Sequence, residues 1–380
     1  MKRKIIRTAT VPLSLGNLLT GQLKFMTKYF EVIAVSSSNT NQLIQVGKQE
    51  NITTIPIEMN RQITPLKDLR SLWQLYLLFK KEKPYIVHSI TPKAGLLTMI
   101  AARLANVPHR IHTFTGLIFP SKNGVLQKLL IFTDKLLCRC ATKVYPEGEG
   151  VKKDLKAYNI TSKPLKIIGN GNVNGINTDR FSPNIFNENL KGDLRQKLNI
   201  NKEDFIFIFI GRLVTDKGVN ELVSVFNSIT NEVKDVKLLL VGDYEEKLDP
   251  LLPETLNTIN KNKNIISTGF VEDVRPYFAI SDVLSFPSYR EGFPNVVMQA
   301  GAMGLPSIVT DINGCNEIII EGQNGTIIPS KNTDLLYDKM TSVLNKSLKF
   351  NPKLCRELIV SRYEQQIVWN ELLKEYQSLS

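Results

Sequence analysis

Short runs of β-branched and aromatic residues alternate with longer amphipathic stretches along almost the whole chain, and this alternation happens twice. The pattern specifies parallel strands joined by helical crossovers, because a parallel pair needs a connection long enough to return to the same end of the sheet. The spacing predicts strands over 5–11, 30–35, 52–57, 86–89, 110–114, 143–145 and 165–168, with helices over 65–82, 93–105 and 126–141 between them. A second series follows, with strands over 205–210, 237–241, 265–268, 283–286, 307–310 and 326–328 and a last helix over 362–377. The fold class is therefore α/β with parallel sheets in two successive units, and such sheets take ligands at their strand C-termini.

The turn-rich stretch 169–175 follows a predicted strand. Its third glycine is misplaced for a dinucleotide fingerprint and no helical pattern opens after it, so it reads as a connection between the units. Domains are expected at 1–183 and 184–361, with 362–380 as a terminal helix. Length supports this, since 380 residues exceed one ordinary core. Charge is uneven. Residues 1–190 carry 27 Lys and Arg against 11 Asp and Glu, whereas 191–380 carry 21 against 25. A basic half attracts phosphorylated substrates, anionic lipid or nucleic acid, or is simply a solvated surface.

The opening Lys2-Arg3-Lys4 invites a signal-peptide reading, but Arg7 and Pro12 interrupt any apolar region, and 5–11 reads better as a strand running into a loop. No uncharged apolar run approaches the roughly 20 residues that span a bilayer. Cys138, Cys140, Cys315 and Cys355 make no zinc or redox spacing and read as reduced core thiols, which places the chain in the cytoplasm.

Three features of the second unit converge on a phosphate-bearing ligand. Gly211-Arg212-Leu213-Val214-Thr215-Asp216-Lys217-Gly218 leaves a buried strand and enters a helix, so Arg212 and Lys217 can clamp a diphosphate, or else are two solvated loop cations. Tyr289-Arg290-Glu291-Gly292-Phe293-Pro294-Asn295 lies between a strand and a helix whose first turn favours an anion, with Pro294 suited to the first helical position. Glu291 there faces sugar hydroxyls, or is only a favourable terminal charge. Gln299 lies eight residues later, followed by the small residues of 300–304, a face for packing under a ligand.

Together these residues resemble the donor half of family 4 glycosyltransferases with the GT-B fold, two facing Rossmann-like domains. The family's E-x7-E element corresponds to Glu291 through Gln299, with an amide in place of the second acid. The resemblance implies that Glu291 orients sugar hydroxyls, that Gln299 meets the ribose, that Arg212 and Lys217 stabilise the leaving diphosphate, and that Phe270 and Val271 lie along the base. It extends donor contacts to Gly292, Phe293, Pro294 and Asn295. Ser14-Leu15-Gly16-Asn17 matches the family's glycine loop without the double glycine, which puts Gly16 by the donor and Asn17 on the acceptor side. The 91–95 and 112–116 elements resemble bacterial capsule and O-antigen transferases and add Lys93, His112, Thr115 and Gly116 to the acceptor side. Relatives carry a histidine just before that glycine; here Thr115 stands there and His112 lies three residues earlier. The terminal helix, with Trp369, is expected to pack back on the N-terminal domain.

The expected activity is retaining, metal-independent transfer of a hexose or N-acetylhexosamine from a nucleotide-diphosphate sugar, UDP-linked, to a glycan or lipid-diphosphate-linked acceptor. No cofactor is expected, and the chain has no D-x-D element for a divalent cation. The helices over 66–83 and 126–139 mix apolar residues with lysines, and read either as resting at a lipid headgroup boundary or as packing on the sheet. Three alternatives stand beside this. A nucleotide-sugar 2-epimerase shares the fold, a basic nucleic-acid-binding protein would show a recognisable module, and Gln299 allows an inactive relative.

Overall fold

The computed structural model describes residues 2–379 apart from 38–39, 61–63, 246 and 248. It divides into two compact units, one formed by Met1–Gly175 with Gln365–Ser380 and the other by Ile176–Glu364. The first unit holds strands β1 Lys4–Thr8, β2 Glu31–Ser36, β3 Thr53–Pro56, β4 Ile86–Ser89, β5 His109–Phe114 and β6 Lys143–Pro146. Its helices are α1 Pro12–Leu18, α2 Gln22–Met26, α3 Thr40–Glu50, α4 Pro65–Glu82, α5 Pro92–Leu104, α6 Gly124–Cys140 and α7 Glu149–Ala157.

All strands pair in parallel, in the order β3-β2-β1-β4-β5-β6. Successive residues feed opposite faces. Ile6, Ile33 and Val87 join one apolar cluster with α4, α5 and α6, while Ile5, Val32 and Ile86 join another with α1 and α2. Burial on both faces explains why these strands read as continuous apolar runs.

The second unit repeats the plan with β7 Phe205–Ile210, β8 Val236–Val241, β9 Ile265–Gly269, β10 Val283–Phe286, β11 Ser307–Thr310 and β12 Gly325–Ile328. Its helices are α8 Glu188–Lys197, α9 Val219–Ile229, α10 Pro253–Lys261, α11 Arg275–Ala279, α12 Asn295–Ala302, α13 Cys315–Ile318, α14 Thr333–Leu344 and α15 Pro352–Tyr363. The order β12-β11-β10-β7-β8-β9 means that β7 and β10, the first and fourth strands, lie side by side. The same holds for β1 and β4 in the first unit. Each sheet therefore reverses its winding direction at that pair, and the crevice beyond those strand ends is where ligands bind in open α/β sheets.

Helix α16, Gln365–Gln377, belongs to the first unit. Trp369, Leu372, Leu373 and Tyr376 enter the cluster formed with α1 and α2. Buried polar bonds fix its register. Tyr376 accepts from Arg7 at 2.8 Å and meets His88 Nδ1 at 2.5 Å, and Trp369 donates to Asn174 at 2.8 Å. Burial, together with the Arg7 charge, pushes the His88 imidazole well below its ordinary pKa, so it is neutral.

Three expectations need correcting. The strand expected over 165–168 is a single bridge from Leu165 to Val144, because Pro164 offers no donor and the turn at Gly169 follows. The segment after β1 is helical, since Pro12 presets its first turn and Pro12 and Leu15 are buried at helical spacing. The helix expected over 362–377 is broken at Glu364, whose extended backbone ends α15, so Arg362 and Tyr363 stay with the second unit. All four cysteines are free and buried.

Candidate active site

In the second unit, the segments leaving β7 and β10 meet at the switch point. Gly218 makes the contact possible. It has φ +69°, and a Cβ there would lie 2.1 Å from the Pro287 carbonyl oxygen, so only glycine lets the entry to α9 abut the exit of β10. The preceding turn Thr215–Lys217 then directs Lys217 at Glu291, and the two form an ion pair with both side chains 16% exposed. Ser288 donates to the same Glu291 oxygen at 2.8 Å. Gly314 packs equally tightly under the loop, since a Cβ there would fall 2.5 Å from the Gly292 oxygen. Cys315 sits beneath this pair. Burial and the nearby Glu291 charge push its thiol up, and it is an inert core residue.

Arg212, on the loop after β7, is 55% exposed at its side chain, and among the described residues its one carboxylate partner is Glu245, at 3.7 Å. It differs from Lys217 in this respect. Lys217 is already compensated, whereas Arg212 keeps most of its charge for an incoming anion. Arg290, on the loop after β10, is tied to Asp216 at 2.8 Å. Gly292, Phe293, Pro294 and Asn295 continue from Glu291 into α12, with Phe293 buried against Tyr363. Pro294 is the N-cap of α12 and not its first residue, which is Asn295.

Phe270 follows β9 and is 73% exposed, its backbone N–H held by Asp243 Oδ1 at 2.9 Å; Val271 packs on the core. An exposed ring at a strand C-terminus offers a face for stacking. Gln299 lies one turn after Asn295 and is half-buried. The small face of α12 was expected to pack under a ligand, but it packs α15 instead, with a Cβ at Gly301 falling 2.5 Å from Ile359.

At the matching place in the first unit, Thr10 and Thr91 link the ends of β1 and β4 by bonds of 2.9 and 2.8 Å. Lys93, in the first turn of α5, is paired with Asp68 of α4 at 2.5 Å. Thr115 donates to the Ile90 carbonyl at 3.0 Å, and Gly116 turns the chain with φ +116°.

Three candidates move. His112 is an internal residue. It is 1% exposed, bonds Ser89 at 2.7 Å and fills the space under Gly95, and burial lowers its pKa to about 3. That corrects its reading as an acceptor contact. Gly16 and Asn17 lie inside α1 and not on a loop; Gly16 backs onto Val46 while Asn17 is exposed. Sequence reasoning missed Ser288, Asp243 and the Thr10–Thr91 link, whose only local signal is a polar residue at a strand end. Among the described residues, no group of three His, Cys, Asp or Glu side chains is placed to hold a metal ion.

Residues 191–363 match the family of glycosyl transferases group 1, and residues 20–147 match the glycosyl transferase 4-like family. The capsular polysaccharide biosynthesis glycosyltransferase CapM of Staphylococcus aureus is 31% identical over 98% of this chain and 97% of its own. The UDP-Gal:alpha-D-GlcNAc-diphosphoundecaprenol alpha-1,3-galactosyltransferase of Escherichia coli is 31% identical over 80% of this chain and 78% of its own. In structure, Anabaena Alr3699/HepE in complex with UDP superposes with a TM-score of 0.83 at 16% identity, covering 100% of both chains, which shows a shared fold. A putative UDP-N-acetylglucosamine 2-epimerase from Listeria monocytogenes shares the fold more loosely, with a TM-score of 0.64 at 14% identity over 100% of this chain and 96% of its own.

Proposed function

Because the chain belongs to the group 1 glycosyl transferases, we propose that it moves a hexose or N-acetylhexosamine from a UDP-sugar to a glycan or lipid-diphosphate-linked acceptor. The product is surface polysaccharide, and the work is done in the cytoplasm at the inner face of the membrane. The relatives support this reading. One is named for capsular polysaccharide, another for a UDP-galactose donor and a diphosphoundecaprenol acceptor, and the fold neighbour was solved with UDP. No helix among the described residues is long and apolar enough to cross a membrane.

The observation that carries the donor reading is the Lys217–Glu291 ion pair at the β7–β10 switch point, with Arg212 exposed on the same loop that leaves β7. Arg212 meets the diphosphate, and Lys217, held by Glu291, presents its remaining donors to the same group. Glu291 orients sugar hydroxyls, and Phe270 and Val271 flank the base, with Gln299 toward the ribose. The bond from the anomeric carbon to the diphosphate oxygen breaks as the acceptor hydroxyl attacks from the same face, and its proton passes to a phosphate oxygen of the leaving group. Configuration is retained. Charge on the leaving group is met by side-chain cations and helix N–H groups, so the reaction proceeds without a metal ion.

The test is thermal denaturation in EDTA with UDP, GDP and their sugars, followed by NMR of the anomeric product. Selective stabilisation by uridine nucleotides and a retained anomer are expected. A flat response to every nucleotide, or an inverted product, would overturn the reading.

A further inference from the structure

Two helices of the first unit expose what a folded domain ordinarily hides. On α4, Leu66, Leu69, Trp73 and Leu77 recur at three- and four-residue spacing and all face solvent, Leu66 being 86% and Trp73 59% exposed. The face that α4 buries is a separate one, Ser71, Leu75 and Phe79. Helix α6 does the same with Val125, Leu126, Leu129 and Phe132, of which Val125 is 85% and Phe132 63% exposed. Both helices pack on α5 and cover the same side of the sheet, so their apolar stripes lie on one helical layer.

Charge on these faces has one sign. Lys67, Arg70, Lys80 and Lys81 are exposed on α4, and Lys122, Lys128, Lys135 and Arg139 are exposed on or just before α6. The acids of the two helices are withdrawn. Asp68 is paired with Lys93, Glu82 with Lys4, and Asp134 is half-buried. Apolar side chains interleaved with unopposed cations match the acyl boundary and anionic headgroups of a bilayer, and a protein partner of ordinary mixed charge would leave the cations unmet.

Beside this surface lies a cavity of about 250 Å³, walled mainly by Leu96, Leu97, Phe114, Leu117 and Leu130. Ile118 and Leu129 line it too, and both are also exposed, so the cavity opens where the apolar surface begins. We propose that the outer faces of α4 and α6 dock on an anionic lipid bilayer, and that the cavity receives a hydrocarbon chain from it. The proposal rests on the membrane placement given above and supplies its surface. Transfer to a water-soluble acceptor reports on the reaction and vesicle binding on the surface, so each can fail alone.

The experiment is co-sedimentation of the full chain with vesicles of phosphatidylglycerol and phosphatidylcholine, and with phosphatidylcholine alone. Binding to the anionic vesicles, weakened by salt, is expected. It should fall about tenfold or more in Trp73→Ser/Phe132→Ser and in Lys128→Glu/Lys135→Glu, whose exposed positions leave the melting temperature unchanged. For the cavity, lysophosphatidylglycerol below its micelle concentration should raise the melting temperature of the wild type but not of Leu130→Trp or Thr133→Phe, two independent fillings. No vesicle binding by the wild type, or equal binding by wild type and variants, would overturn the docking surface. A dimer abolished by Trp73→Ser/Phe132→Ser without vesicle binding would assign the face to a second copy instead. An equal lysolipid shift in both filled variants would overturn the cavity's role.

Discussion

Lys217 and Glu291, 74 residues apart in sequence, form an ion pair where the chain leaves β7 and β10, and Ser288 braces the same carboxylate oxygen. The acid proposed to orient the sugar and the cation proposed to meet the diphosphate are therefore one unit. Lys217→Ala leaves a mostly buried carboxylate without its counter-ion and should cost about 1–3 kcal/mol by urea denaturation. Either Lys217→Ala or Glu291→Gln should lower kcat by roughly 10²–10³. The double variant should lose less than the sum of the two, and additive losses would mean that the pair does not act together.

The binding role proposed for Arg212 can be tested apart from stability. Its side chain is 55% exposed, and among the described residues its one carboxylate partner is Glu245, at 3.7 Å. Arg212→Ala should therefore leave the ligand-free melting temperature within about 1 °C while abolishing its rise with UDP, together with a roughly 10²-fold fall in kcat/KM. Arg212→Lys keeps the charge but loses the fork and should recover only part of the activity. An undiminished UDP shift in Arg212→Ala would remove this residue from the donor site.

Asp134 makes stability depend on pH with an unusual sign. Burial among the leucines of α6 and its neighbours raises its carboxyl from 3.8 to about 7. Below about pH 4 folded and unfolded chains both hold the proton. Between about 4 and 7 only the folded chain does, so this group's contribution falls as pH rises, and above 7 the penalty is complete. Asp134→Asn should stabilise the protein by on the order of 2 kcal/mol at pH 8 and by nothing at pH 4. Denaturant midpoints at the two values decide it, and equal gains at both would refute the burial argument.

Glu375 has the opposite sign. Burial alone would raise its carboxyl, but hydrogen bonds from Lys143, Lys166 and Tyr145 outweigh that and hold it at about 2. Its contribution is present above about pH 4.5 and is lost as pH falls toward 2. Because both lysines are substantially exposed, Glu375→Gln should cost only about 1–2 kcal/mol at pH 7, shrinking as the pH falls toward 2. Hydrogen exchange should show the loss first in α16, which this residue ties to β6.

The strands, and the cations Arg212 and Lys217 on the loop that leaves β7, were legible because their signals are local. A buried parallel strand must be apolar on both faces, and Phe205–Ile210 or Val283–Phe286 declare themselves within a few residues. Local signals misled where tertiary packing outweighed them. Gly16 read as a loop residue, yet burial of Pro12 and Leu15 favours a helix there. His112 was placed on the acceptor side by the resemblance, yet its strand runs through the interior and Ser89 satisfies it.

What the sequence by itself determined was the alternation of strand and helix, the two-unit plan and the residue types at each strand end, all consequences of periodicity and turn chemistry. Which ends meet was decided only by tertiary structure. Nothing within residues 205–295 states that β10 pairs with β7 and not with β9, since that choice follows from how the crossover helices cover both faces of the sheet. The pairing order brings Gly218 under Pro287 and Lys217 onto Glu291. Strand order also leaves α4 and α6 on one side of their sheet, where apolar side chains that the sequence left open between the core and a lipid boundary remain in contact with solvent.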